Sequence, residues 1–191
     1  MSLQLKITLS NSKPPIWRRI LVPDSFSFHQ LHLAIQASMG WQNAHLYAFN
    51  HPKKRENIGI PDPEWDDGTL EAKNVLIREE LHKVKQKMIY EYDFGDGWVH
   101  SILLEDITDD KILNPIAITG KGACPPEDCG GIWGYYNLLK RISDQKDPEY
   151  EDLRYRLGLE DGEQWDPVAF DLQEFHERVR DYLEWDQEFE L

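Results

Sequence analysis

Hydrophobic and polar residues alternate over several short stretches of this 191-residue chain, and the alternation predicts its strands. Leu3, Leu5, Ile7 and Leu9 interleave with Gln4, Lys6, Thr8 and Ser10, the pattern of a half-buried strand. Ile16 to Val22 forms a second strand after the turn-rich Asn11–Pro15 stretch, and the two should pair. The period then changes to that of a helix. Phe28, Leu31, Ile35 and Met39 make an apolar stripe, Ser27 with Gln30 forms a capping box, Phe26 and Leu31 form a hydrophobic staple, and Gly40 supplies the stop. A helix is predicted over Phe28–Met39, with His32 near the core boundary and His29 more exposed. His45 to Phe49 predicts a third strand, residues 50–74 a long loop, Val75 to Leu81 a short helix, and Ile112 to Thr119 a further strand.

The segment from Met88 to Asp106 organises the middle of the chain. Asp96-Gly97 is the dipeptide favoured in a two-residue type I′ hairpin turn. That turn would set Phe94 opposite Val99, Asp93 opposite His100 and Glu91 opposite Ile102. One face would be an aromatic core of Met88, Tyr90, Tyr92 and Phe94, and the other would carry an Asp93–His100 pair. Periodicity breaks at Gly120 to Gly134. Helices follow at about Ile132–Ile142, burying Trp133, Tyr136, Leu139 and Ile142, and at about Tyr150–Leu157. A last helix starts at Asp171 with Glu174 and carries the stripe Leu172, Phe175, Val179, Tyr182 and Leu183. The expected architecture is a single α+β domain over residues 1–191 with a mixed, mainly antiparallel sheet and a central β-hairpin. Residues 1–120 would be mostly sheet with one or two helices, the early helix packed on the sheet. Residues 121–191 would be a loop plus a C-terminal helical portion.

Charge narrows the functions. The net charge is −14, distributed as +4 over residues 1–63, −6 over 64–143 and −12 over 144–191. Such a field opposes nucleic acid and anionic membranes, so direct nucleic-acid binding is not expected, although Arg18, Arg19, Lys53, Lys54 and Arg55 offer a local basic patch. No apolar run approaches the roughly 20 residues that span a bilayer, and the start has no signal-peptide pattern. Two cysteines in a chain of this size point to a reducing, cytoplasmic setting.

The sharpest chemical feature is the Asp93–His100 pair, in which a carboxylate would orient an imidazole as general-base and metal sites require. The bland alternative is a cross-strand pair worth about 0.2–1 kcal/mol to the hairpin. Asp93-Phe94-Gly95 spells the kinase metal-binding tripeptide, but no other kinase element accompanies it. His32, His45, Cys124 and Cys129 are candidate metal ligands, although no established ligand spacing is present and no cofactor is predicted. The Pro125–Gly131 stretch offers Glu127 and Asp128 ahead of a helix and Gly130-Gly131 for close backbone approach. Asp128 is expected to cap that helix, and Cys129 at its N-terminus would have a lowered pKa if it were a nucleophile. Trp17, Trp41, Trp98 and Trp133 are core residues or the lining of a pocket.

Five groups of residues resemble the Ri-plasmid ORF-3-like family in order along the chain. They are Pro14–Arg19, His32 within LHLAIQ, Met39-Gly40-Trp41 with His45-Leu46, Tyr92–Asp96 with Trp98 and His100, and Cys124–Gly131 with Gly134-Tyr135. The resemblance implies a link to plasmid or mobile-element biology. One insertion-element relative carries a resolvase name, but no serine- or tyrosine-recombinase arrangement is visible in this chain. The leading expectation is a non-catalytic binding or accessory protein for a protein or small-ligand partner. Its site would gather the hairpin, His45, Trp98, Glu127, Asp128, Gly130 and Gly131. The alternatives are a hydrolase or metal-assisted enzyme using His100 as base with Asp93 orienting it, and a nucleic-acid-associated protein using the basic patch.

Overall fold

The computed structural model describes residues 1–51, 56–65 and 67–185. One eight-stranded sheet runs through it, built from β1 (Ser2–Leu9), β2 (Trp17–Pro23), β3 (Tyr47–Asn50), β4 (Asn57–Gly59), β5 (Leu70–Glu71), β6 (Lys87–Tyr92), β7 (Trp98–Thr108) and β8 (Ile116–Lys121). The spatial order is β5-β4-β3-β6-β7-β1-β2-β8, antiparallel throughout except for the β4–β5 pair. The helices are α1 (Phe28–Met39), α2 (Ile77–Glu80), α3 (Gly131–Ile142), α4 (Tyr150–Arg156) and α5 (Leu172–Arg180), with a 3-10 turn at Tyr182–Trp185. This is the expected α+β class, with the early helix on the sheet and the helical portion at the C-terminal end.

Alternation decides the two faces of the sheet. Leu3, Leu5, Ile7, Ile20, Val22, Tyr90, Ile102 and Leu104 are buried on the α1 side. The opposite face is half-exposed and mixed, with Leu21, Ile89, Val99 and Leu103 among charged residues: Glu105 pairs with Arg19 at 2.5 Å, and Lys6 and Arg19 lie over the Trp17 ring. Arg18 and Arg19 therefore point to opposite faces, and Arg18 is 2% exposed, so they do not form the expected patch. Lys53, Lys54 and Arg55 lie outside the described residues.

Helix α1 follows its signals closely. Gln30 N donates to Ser27 Oγ at 3.2 Å, Ser27 N donates back to Gln30 Oε1 at 2.9 Å, and Gly40 ends the helix at φ 76°. The helix is buried on nearly all sides, which places His32 at 0% exposure in the core and not at its boundary. Ser27→Ala removes the cap, and denaturant unfolding should show a loss of about 1 kcal/mol.

The hairpin departs from expectation. Its connection is residues 93–97, and the ladder pairs Tyr92 with Trp98, Glu91 with Val99 and Tyr90 with His100. Asp93 adopts φ 54° and its Oδ1 accepts from Gly95 N and Asp96 N, so an aspartate side-chain turn displaces the two-residue turn. The register moves by three residues. An odd shift exchanges faces, so His100 joins Tyr90 and Tyr92 in the aromatic core, while Asp93 leaves the ladder and Phe94 is 54% exposed. The expected Asp93–His100 pair does not form.

Three smaller differences have local causes. Residues 50–74 hold β4 and β5, which are too short for periodicity to reveal. Strand β3 begins at Tyr47, which leaves His45 in the preceding connection. In α3 the buried stripe is Ile132, Tyr135 and Leu138, one residue out of phase with the expected one, so Trp133 is 75% exposed.

A candidate cation-binding junction at the hairpin tip

Three segments meet at the end of the central hairpin: residues 41–46 after α1, the hairpin tip 93–97, and residues 123–130 before α3. Trp41 forms the floor. It is buried, its Nε1 donates to Pro125 O at 2.8 Å, and its ring lies 5.3 Å from those of Tyr92 and Trp98. Above it, Tyr92 is held by Ala44 N, which donates to the hydroxyl at 2.8 Å, and the hydroxyl donates to Glu127 Oε1 at 2.5 Å. Burial, then the bond to Glu127, push the Tyr92 pKa upward, so it remains a donor. The other Glu127 oxygen accepts from Gln42 N at 2.7 Å. Glu127 thus ties residues 41–46 to residues 123–130.

The third tie joins the loop to the hairpin. Gly130 N donates to Asp96 Oδ2 at 2.9 Å, which places an acid from a distant segment at the positive end of α3. Asp128 does not cap the helix as expected. The N-cap is Gly130, without a side-chain cap, and Gly130 and Gly131 take φ of 87° and 64°. That backbone turns Asp128, itself at φ 54°, away from α3 and toward His45.

The result is a compact group of unlike donors. His45 Nε2 lies 2.9 Å from Asp128 Oδ1 and 3.7 Å from Asp93 Oδ2, and one ligand atom from each of the three lies within 4.8 Å of the others. Exposure rises outward, from 12% for the Asp93 side chain to 31% for His45 and 69% for Asp128. The group is anchored below and open above. Asp93 is fixed doubly, because its N donates to Leu46 O at 2.9 Å while its Oδ1 holds the turn, leaving Oδ2 toward His45.

Six expected site residues therefore converge: Asp93, His45, Glu127, Asp128, Gly130 and Gly131. Trp98 lies beneath them in the core. His100 is fully buried, its Nδ1 donates to Trp98 O at 3.0 Å, and burial lowers its pKa to about 4, which rules it out as a solvent-accessible base. His32 is equally enclosed. Its Nε2 donates to Asn43 Oδ1 at 2.7 Å and its Nδ1 accepts from the Tyr90 hydroxyl at 2.8 Å, so both nitrogens are engaged and neither serves a metal. Cys124 and Cys129 are free thiols outside the group, and burial pushes both up to about 12. The Cys129 thiol is thus deactivated, against the expectation for a nucleophile at a helix N-terminus. Of the residues that hold the junction together, Trp41 is legible as core or pocket lining, whereas Asp96 and Tyr92 read only as turn and core residues and carry no spacing that marks a site.

Fold and junction together define an α+β sheet protein with an open His–Asp–Asp cluster at the end of its central hairpin. The chain belongs to the plasmid pRiA4b ORF-3-like protein family, which it matches over residues 1–174. It is 34% identical over 180 residues to the uncharacterised protein y4hQ of Sinorhizobium fredii (strain NBRC 101917 / NGR234), covering 93% of this chain and 90% of that one. It is also similar to a solved structure, the protein of unknown function MM3350 from Methanosarcina mazei Go1. That match has 36% identity and a TM-score of 0.75, covering 90% of this chain and 96% of the other. No helix among the described residues is long and apolar enough to cross a membrane.

Proposed function

We propose that the protein is a binding protein whose site holds a divalent cation between His45, Asp93 and Asp128. The supporting observation is the mutual approach of their ligand atoms within 4.8 Å. A cation with donors at about 2.0–2.2 Å brings those donors roughly 3–4 Å apart, so small side-chain adjustments suffice. One imidazole and two carboxylates suit manganese or zinc better than a soft ion. Three protein ligands leave further positions on the exposed side, where a partner's oxygen or nitrogen would complete the shell. Glu127, Gly130 and Gly131 are positioning residues in this reading. They hold the Asp128 loop against the hairpin and do not touch the ion.

Tag-free, metal-stripped protein titrated calorimetrically with manganese chloride should bind one equivalent. Asp128→Asn should weaken that binding at least about tenfold while leaving the far-ultraviolet circular dichroism unchanged, because this exposed side chain supplies a charged ligand. Equal binding by wild type and variant would remove the reading.

A further inference from the structure

Beside the junction, a cavity of about 620 Å³ opens between the end of α1, residues 123–128, α4 and α5. Its volume falls within the roughly 300–1,000 Å³ usual for small-molecule sites. Three arginines line it, and two of them, Arg18 and Arg156, have no ion pair among the described residues. Arg18 is 2% exposed, and its four protein hydrogen bonds all go to backbone carbonyls, of Ser38, Trp17, Lys121 and Gly122. No carboxylate lies within ion-pair distance of it among the described residues. A guanidinium has five N–H groups, so one on Nη2 is left over. The Cys124 thiol beside it is neutral, since burial holds its pKa at about 12.

Compensation comes from dipoles, a ring and the more distant Glu174, not from a contacting carboxylate. The C-terminal end of α1 presents about half a negative charge to Arg18 and to Arg178, whose Nε donates to Ala37 O at 3.2 Å. The Phe170 ring lies 4.9 Å from the Arg18 guanidinium. Arg178 also pairs with Glu174 through Nη1, which leaves its Nη2 without a partner among the described residues. Arg156 is exposed and makes no ion pair or hydrogen bond there. Of the four acids on the same wall, Glu174 pairs with Arg178, while Glu127, Asp128 and Asp171 are directed to Tyr92 and Gln42, to His45 and to the first N–H groups of α5, and form no ion pair with the arginines.

The geometry points to a second binding function: this cavity takes a small oxyanion-bearing molecule, a carboxylate or phosphate, as the counter-charge to Arg18 and Arg156, with the remaining Nη2 of Arg178 as a further donor. A buried charge without an ionic partner is costly, and the several oxygens of one oxyanion can accept from the remaining Nη2 groups of Arg18 and Arg178 and from Arg156. The indoles of Trp41 and Trp165 line the same space and would bound the ligand's body. The inference stands without the cation, although Asp128 belongs to both sites.

The test uses metal-stripped full-length protein, so that failure of the cation site cannot mask the result. Tryptophan fluorescence and thermal unfolding are followed during titration with inorganic phosphate and, separately, with succinate, each against sodium chloride at equal ionic strength. A saturable response to either probe is expected, and which of them gives it distinguishes phosphate from carboxylate. Arg156→Gln with Arg178→Gln should weaken it about tenfold, because both side chains reach solvent and neither sits in the sheet. The same double variant should still bind manganese as wild type does. A response no larger than that to chloride, or one the double variant keeps in full, would overturn the proposal.

Discussion

Gly131→Ala is expected to cost at least about 3 kcal/mol, through a backbone clash added to a strained φ. A Cβ built on Gly131 meets Asp96 O at 2.1 Å, and the residue sits at φ +64°. Neither obstacle yields alone, because the obstructing atom is main chain of the hairpin tip and Asp96 also holds Gly130 N. Gly134→Ala should behave similarly, its Cβ falling 1.8 Å from Cys129 O. For a chain of this size 1 kcal/mol corresponds to about 2–4 °C in Tm, so each variant should melt roughly 6–12 °C lower. Each should also lose cation affinity, because the strain is released by pushing the Asp128 loop off the hairpin. Gly158→Ala is the matched control. It shares φ +64° but meets nothing within 4 Å, and should show only a backbone cost of about 1 kcal/mol.

Acidification below pH 6.5 should destabilise the protein before its carboxylates titrate. His32 and His100 are enclosed, and burial lowers their pKa values from 6.5 to about 3 and about 4. The hydrogen bond from His32 to Asn43 partly opposes the first shift, and the backbone bond to Trp98 partly opposes the second. In the unfolded chain both take protons as pH falls through 6.5; in the folded chain both stay neutral until pH 4 or below. The unfolded state therefore binds more protons across that window, so stability is complete above pH 6.5 and declines toward pH 4. By pH 5 the loss should be about 2 kcal/mol for each histidine. His32→Gln can still donate to Asn43 and accept from Tyr90. It should be less stable at pH 7, since the imidazole stacks on Tyr47 at 3.6 Å, yet lose less between pH 6.5 and 5. Urea midpoints across that range check this, and an unchanged slope in the variant would count against it.

The sequence made local geometry readable and left distant geometry hidden. Ser27, Gln30 and Gly40 act within one turn of α1, so the bounds of that helix follow from the residues that form it. The hairpin turned on a competition between two local signals. Asp96-Gly97 favours a two-residue turn, but the Asp93 carboxylate captures Gly95 N and Asp96 N and starts the connection three residues earlier. Period-two alternation cannot decide between them when both faces hold apolar residues, and here it assigned His100 to the wrong face. In α3 a similar ambiguity among Ile132, Trp133, Tyr135 and Tyr136 shifted the buried stripe by one residue.

The site was partly legible for a different reason. Glycines and prolines flagged the 125–131 loop, and the hairpin tip was marked by its turn residues, so the pieces were visible. Their junction was not, because His45, Asp93 and Asp128 come from three separate segments and share no spacing. Arg18 was legible as a charge, but its burial required the register of β2 against β8. The buried His32–Tyr90–Asn43 network was equally hidden, since it joins α1, β6 and the connection after α1.

The most direct test of the cation site is anomalous diffraction from crystals of tag-free protein soaked in manganese chloride. One anomalous peak is predicted at the junction, about 2.0–2.4 Å from His45 Nε2 and from an oxygen of each of Asp93 and Asp128. Crystals of Asp128→Asn soaked in the same way should lose most of it. Full soaking with no peak between these three side chains would contradict the account.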